Sequence, residues 1–170
     1  MEKIWLKSYP PGIPAEIDVN EFRSLGDLFE RSVTRFADKI AYHCMGKSIT
    51  YAELDTLSAR FGAYLQSELK LPARARVALM MPNVLQYPVA LFGTLRAGYT
   101  VVNVNPLYTA RELEHQLKDS GADAIVILEN FAHTLEHVRP NVPIKHVVVT
   151  SLGEMLGLVK GTIVDFVVRK

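Results

Sequence analysis

Two early stretches repeat apolar residues at helical spacing. Leu28, Phe29, Val33 and Phe36 follow Ser24, which stands three residues before Asp27. That spacing predicts a helix over about 25–37 with Ser24 as its N-cap. Leu54, Leu57, Phe61 and Leu65 form a second stripe, opened by Thr50 with Glu53 three residues on and ended before Pro72. Thr and Glu at that offset make a capping box. Between the stripes, Ile40-Ala-Tyr42 and Ser48-Ile-Thr50 flank Met45-Gly46, the pattern of a small hairpin.

From Arg76 the rhythm changes to short unbroken apolar runs: Val77–Met81, Tyr99–Val104, Ala124–Leu128 and His146–Val149. Unbroken runs suit strands covered on both faces. Helical patterns over about 84–97, 110–120 and 131–138 separate them. Asn83 is the expected cap of the first, Pro88 the expected bend in its first turn, and Gly98 its stop. Thr109 with Glu112 opens the second and Gly121 ends it. A β-α-β-α-β-α-β core from about 76 to 150 predicts an α/β fold with a parallel sheet and flanking helices, preceded by two helices and the hairpin.

The two ends read differently. Pro10, Pro11 and Pro14 make residues 1–23 an extended arm, pinned to the body by Trp5 and Leu6. Residues 24–150 form the subdomain. Residues 151–170 are crowded with Leu152, Leu156, Val159, Ile163, Phe166 and Val167, an apolar tail expected to lead into further sequence. Glycines 153, 157 and 161, spaced by four, fit either a close-packing helix face or a linker.

Composition narrows the function classes. Nineteen Lys and Arg against 18 Asp and Glu give a net charge of +1, and a nucleic-acid partner would require a basic surface. The single cysteine, Cys44, forms no internal disulfide and reads as buried filler in an intracellular protein. No run reaches the roughly 18 apolar residues of a membrane span.

Candidate chemistry is sparse. The turn after Met81 holds no glycine, unlike a dinucleotide fingerprint, and Lys160 does not directly follow a glycine as a phosphate loop requires. His133 and His137 share a helix face but lack the Glu of a zinc motif, so they read as surface histidines. Glu112 and Glu114 have capping and solvent roles. Parallel sheets bind ligands beyond the carboxyl ends of their strands. Those ends carry Pro82-Asn83, Asn103-Val-Asn105-Pro106 and Glu129-Asn130, which makes Asn83 and Asn105 the candidate substrate-binding residues. No catalytic, metal-binding or cofactor-binding residue is assigned.

Three stretches together carry a resemblance: Ile49-Thr-Tyr-Ala-Glu-Leu54, Arg76-Val-Ala-Leu-Met-Met-Pro-Asn83, and Leu91-Phe-Gly-Thr-Leu-Arg-Ala-Gly98 continuing through Val101–Thr109 to Gly121. The sequence resembles the amino-terminal part of the acyl-adenylate-forming superfamily, and within it the bacterial long-chain fatty-acid–CoA ligases. The resemblance implies a parent that joins ATP and a long-chain fatty acid, with Mg²⁺, into an acyl-adenylate, then transfers the acyl group to coenzyme A. It also implies a cytoplasmic site of action with peripheral contact at the inner membrane, and downstream domains as partners. The family's phosphate loop, ribose-binding Asp and catalytic Lys have no counterpart in these 170 residues, so the fragment is expected to be inactive alone. Two other classes fit the residues: a stand-alone module binding a small ligand at Asn83 and Asn105, and a membrane- or partner-docking module using 152–170. Self-association through 152–170 is a further expectation.

Overall fold

Each helix boundary follows from a local hydrogen-bonding choice. In a computed structural model, which describes residues 2–169, Ser24 Oγ accepts the Asp27 N–H at 3.1 Å and opens α1, Leu25–Phe36. The chain then forms β1, Ile40–Cys44, and β2, Lys47–Thr50, an antiparallel hairpin. Met45 and Gly46 both take positive φ there, which matches the right-handed twist of the two strands. Thr50 and Glu53 close a full capping box at the start of α2, Tyr51–Ser67.

Next come β3, Arg76–Met80, and α3, Gln86–Arg96. After β4, Thr100–Asn103, a second capping box between Thr109 and Glu112 opens α4, Ala110–Ser120. Gly121 closes α4 in the left-handed region at φ 59°. Then follow β5, Ala124–Leu128, α5, Ala132–Val138, β6, His146–Thr150, and α6, Leu158–Val168.

β3, β4, β5 and β6 form a parallel sheet in the order β4-β3-β5-β6. Successive side chains of a strand point to opposite faces. Val77, Leu79, Ala124 and Val126 therefore pack with residues of α2 and α3, whereas Ala78, Met80, Ile125 and Ile127 pack with α4 and α5. The result is three layers, with α1 and the hairpin joined to α2 and α3 through Phe29, Ile49, Leu54 and Leu85.

Helices α2 and α3 meet through glycines. A Cβ on Gly93 would lie 2.8 Å from Ser58 O, and one on Gly62 would lie 2.8 Å from Gly93 O. Beside this contact, Arg96 donates to the carbonyl and carboxylate of Asp55 and to Ser58 Oγ, and its guanidinium lies over the Phe29 ring. Phe29 in turn stacks on Phe92 at 4.1 Å. Three helices are thus joined at one point by packing and by charge.

Several expectations need correction. Residues 4–8 form one short 3₁₀ turn within the arm, in which Trp5 is 49% exposed, Leu6 is part-buried and no residue is fully buried. Only β3 and β5 are covered on both faces along nearly their whole length; β4 and β6 are edge strands and only part-buried. Asn83 caps no helix, because α3 starts at Gln86 with Leu85 at the cap position. Pro88 therefore falls in the first turn, where its missing N–H has no intrahelical partner to lose. Cys44 is half-buried rather than buried.

The tail glycines do not form one helix face. Gly153 lies in the turn before α6, Gly157 caps α6 at φ 87°, and only Gly161 is helical. Gly153 and Gly161 approach each other inside the chain, so closely that a Cβ on Gly161 would sit 2.4 Å from Gly153 O. The close approach expected between copies is already used within one copy. α6 folds back and leaves Leu158 93% and Val159 77% exposed.

The two capping boxes make stability acid-sensitive. Backbone N–H groups of Thr50 and Thr109 hold the Glu53 and Glu112 carboxyls below the ordinary value of 4.5. A carboxylate whose folded value is depressed contributes stability above its unfolded value, and that contribution fades as pH falls through the folded one. Expected outcome: wild type loses thermal stability between about pH 5 and 3 more steeply than the Glu53→Gln/Glu112→Gln variant. Parallel melting curves across that range would remove the capping boxes as the cause.

Candidate functional site

The strand order fixes where a ligand would enter. The chain leaves β3 toward β4 on one side, then crosses back to place β5 on the other. In open α/β sheets the crevice at such a reversal, beyond the carboxyl ends of the strands, is the ligand position. Here the reversal lies between the turns following β3 and β5, residues 81–85 and 129–131.

The β3–α3 turn is Met81-Pro82-Asn83-Val84-Leu85, with Met81, Val84 and Leu85 buried and Asn83 exposed. The Asn83 carbonyl accepts the Cys44 thiol at 3.5 Å, which ties this turn to the hairpin. On the other side of the crevice, Asn130 Oδ1 is buried without a hydrogen-bond partner. Its neighbour Glu129 accepts a two-pronged contact from Arg169, at 2.8 and 3.1 Å. This pairing holds the Arg169 guanidinium above its ordinary value, since both the hydrogen bonds and the opposite charge favour the cation.

Asn105 stands beyond β4. Its Oδ1 accepts the Leu107 N–H at 3.0 Å, an Asx turn that shapes the approach to α4. Asn103, at the end of β4, accepts the Tyr87 hydroxyl at 2.9 Å through its side chain and the Gln116 amide through its carbonyl. Asn83 and Asn105 share the carboxyl edge of the sheet, yet neither lines the grooves described next.

Two apolar grooves adjoin one another and share Leu57 and Met155. One, of about 420 Å³, opens beside Lys47 and Ile49. The other, of about 370 Å³, lies between α2–α3 and the β5–β6 half of the sheet, against Phe61, Val126 and Val148. Arg60 and Glu154 also line this second groove. Sequence reasoning missed both, because they are made by residues far apart in the chain.

α6 is held across this edge by polar contacts. Asp165 accepts Ser151 Oγ–H at 2.8 Å and Gly153 N–H at 2.6 Å, Lys160 donates to the Met45 carbonyl, and Arg169 reaches Glu129. His133 and His137 both lie exposed on α5, as surface histidines, and His137 Nδ1 lies 2.7 Å from the His133 carbonyl. Among the described residues no three His, Cys, Asp or Glu converge on a metal position. The β3–α3 turn holds no glycine.

A four-stranded parallel sheet with helices on both faces and a crevice at its reversal defines a doubly wound α/β domain. Residues 29–165 match the model of the AMP-binding enzyme family, and the chain belongs to that family. It is 57% identical over 169 residues to a long-chain-fatty-acid–CoA ligase of Escherichia coli O157:H7, covering 99% of this chain and 30% of the relative. A ligase of the same description from Bacillus subtilis (strain 168) is 34% identical over 155 residues, 91% of this chain and 27% of its own. The fold is shared with the crystal structure of a long-chain-fatty-acid–CoA ligase from Archaeoglobus fulgidus, at a TM-score of 0.71 and 21% identity, over 94% of this chain and 32% of that one. The chain thus spans about 30% of the length of its curated relatives.

Proposed function

We propose that this chain is the amino-terminal scaffold of a long-chain fatty-acid–CoA ligase, which forms acyl-CoA from ATP, a long-chain fatty acid and coenzyme A through an acyl-adenylate. The observation that carries the reading is 57% identity sustained over 99% of the chain to a ligase of which it spans 30%. In this reading residues 24–150 are the α/β subdomain, and 151–170 lie against the rest of the ligase. ATP, Mg²⁺ and coenzyme A are bound by the whole enzyme, and no catalytic residue is assigned here. Asn83 and Asn105 face substrate from the carboxyl ends of β3 and β4. The whole enzyme works in the cytoplasm, touching the inner membrane where its fatty acid arrives. No helix among the described residues is long and apolar enough to cross a membrane.

The test is an exchange of parts. These residues replace the aligned 30% of the Escherichia coli ligase, and oleoyl-CoA formation is measured. Expected is a soluble, active hybrid, while the 170-residue chain alone releases pyrophosphate at background with oleate, ATP, Mg²⁺ and coenzyme A. A soluble but inert hybrid overturns the reading, and so does turnover by the pure chain. In the active hybrid, Asn83→Ala and Asn105→Ala should each raise KM for fatty acid or ATP several-fold. Unchanged kinetics would remove both from the site.

A further inference from the structure

Consecutive residues of a strand point to opposite faces, yet Ala41 and Tyr42 line the same chamber. A bulge makes this possible. In β1, Ile40 pairs with Thr50 and Tyr42 with Ile49, so Ala41 has no partner across the hairpin. Such bulges re-aim side chains and are over-represented next to active sites. The chamber, of about 270 Å³, is walled by α1, the hairpin, α2 and α3, and shares no residue with the grooves at Met155. No part of its lining comes from β6, α6 or the turn between them. Its floor is buried Phe29 and Leu54, and its rim includes Tyr42, which is 40% exposed.

The lining selects a chemistry. Four of its eight residues are aromatic and none is charged. A charged ligand would lose its hydration there with no opposite charge to replace it. The rings of Phe29, Tyr42, Tyr51 and Phe92 suit an aromatic ligand. The side-chain polar groups are all hydroxyls, on Ser32, Tyr42 and Tyr51. Ser32 Oγ donates to the Leu28 carbonyl at 2.7 Å, which leaves its oxygen as an acceptor. Burial pushes the Tyr42 phenol above its ordinary value of 10.0, and the phenols of Tyr51 and Tyr87 act the same way. Its hydroxyl therefore stays a neutral donor at pH 7. We infer that this chamber binds a small, flat, neutral phenol, with the Tyr42 hydroxyl donating to the ligand's oxygen. One ligand hydroxyl both accepts and donates, which matches a lining of hydroxyls. An apolar cavity of about 150 Å³ holds benzene, so about 270 Å³ accommodates two fused rings. A flexible alkyl chain would lose rotamer freedom on entry and leave these hydroxyls unpaired.

This inference goes beyond the ligase reading and does not rest on it. The probe is 1-naphthol, titrated calorimetrically into the 170-residue chain at pH 7. A dissociation constant on the order of 100 μM is expected for a ligand of this size. Backbone amide shifts should centre on α1, the hairpin, the first turns of α2 and Phe92. Ala41→Leu, which fills the chamber, should abolish binding. Tyr42→Phe, at a part-exposed position, should weaken 1-naphthol about three- to tenfold and leave naphthalene unchanged. The anion 1-naphthoate should bind at least tenfold more weakly than 1-naphthol. In a soluble hybrid with the Escherichia coli ligase the affinity for 1-naphthol should be retained. Loss of binding in that hybrid overturns the proposal whether or not the hybrid makes oleoyl-CoA, so the two readings fail separately. No saturable binding below about 1 mM, shifts centred on the Leu57–Met155 grooves, or equal affinity in Tyr42→Phe each overturn it as well. Tighter binding of decanoate than of 1-naphthol in the chamber overturns it in favour of an alkyl chain.

Discussion

Gly93→Val will cost about 3 kcal/mol, near the upper end of the range for overpacked interiors. A Cβ at this position would lie 2.8 Å from the Ser58 carbonyl oxygen and 2.9 Å from Phe61 Cδ1. The first of those atoms is α2 backbone and cannot rotate away. Valine adds two methyl groups beyond the Cβ, so α2 and α3 must separate. Separation also pulls Arg96 away from Asp55 and Ser58 and loosens the Phe29–Phe92 stack. Replacing glycine within a helix normally gains up to about 1 kcal/mol in propensity, and the clash outweighs that gain. Thermal unfolding of the purified variant checks it, and a stability equal to wild type would show that the helices can part without penalty. Gly98→Ala is the contrast. A Cβ there meets nothing within 4 Å, and the cost comes only from its φ of 79°.

Leu79→Ala is expected to cost roughly 2–5 kcal/mol, the measured span for buried leucine truncation. Leu79 is 1% exposed at the centre of β3, paired to Asn103 on one side and Val126 on the other. Its side chain belongs to the core under α2 and α3. Denaturant titration measures the loss. A change below about 0.5 kcal/mol, typical of surface positions, would mean that the strand is not where the structure places it.

The elements visible in the sequence were those fixed by nearest neighbours. Ser24, Thr50 and Thr109 open helices because each side chain reaches an N–H three residues ahead, and that relation is written in consecutive letters. The β3–β5 apolar runs were legible for the same reason. The order β4-β3-β5-β6 was not, because pairing Val77 with Ala124 spans a distance that no local pattern encodes. Asn83 was misjudged as a cap: its turn continues two residues further before α3 begins. The tail glycines illustrate the same limit. Their spacing of four suggested one helix face, but the chain reverses between Gly153 and Gly161 and brings the two backbones together. The grooves at Leu57 and Met155 draw residues from α2, β6 and the turn after it, so no single segment announces them. Of the candidate site, the sequence showed only that asparagines occupy strand ends. It did not show that Asn105 uses its oxygen in a turn, or that Asn130 keeps a buried oxygen unpaired.

The strand order also dictates a sequence of events on the ribosome. β3 pairs first with β4, since β4 is the earlier partner to emerge. Its other neighbour, β5, begins at Ala124, and until that stretch leaves the exit tunnel Ala78 and Met80 lack Ile125 and Ile127 beside them. At the usual synthesis rate of about 5–20 residues per second, the intervening twenty-odd residues take one to several seconds. For that interval the nascent chain presents half a core to its surroundings. A chaperone that binds apolar strands would find its longest opportunity there, between the appearance of Asn103 and that of Ala124.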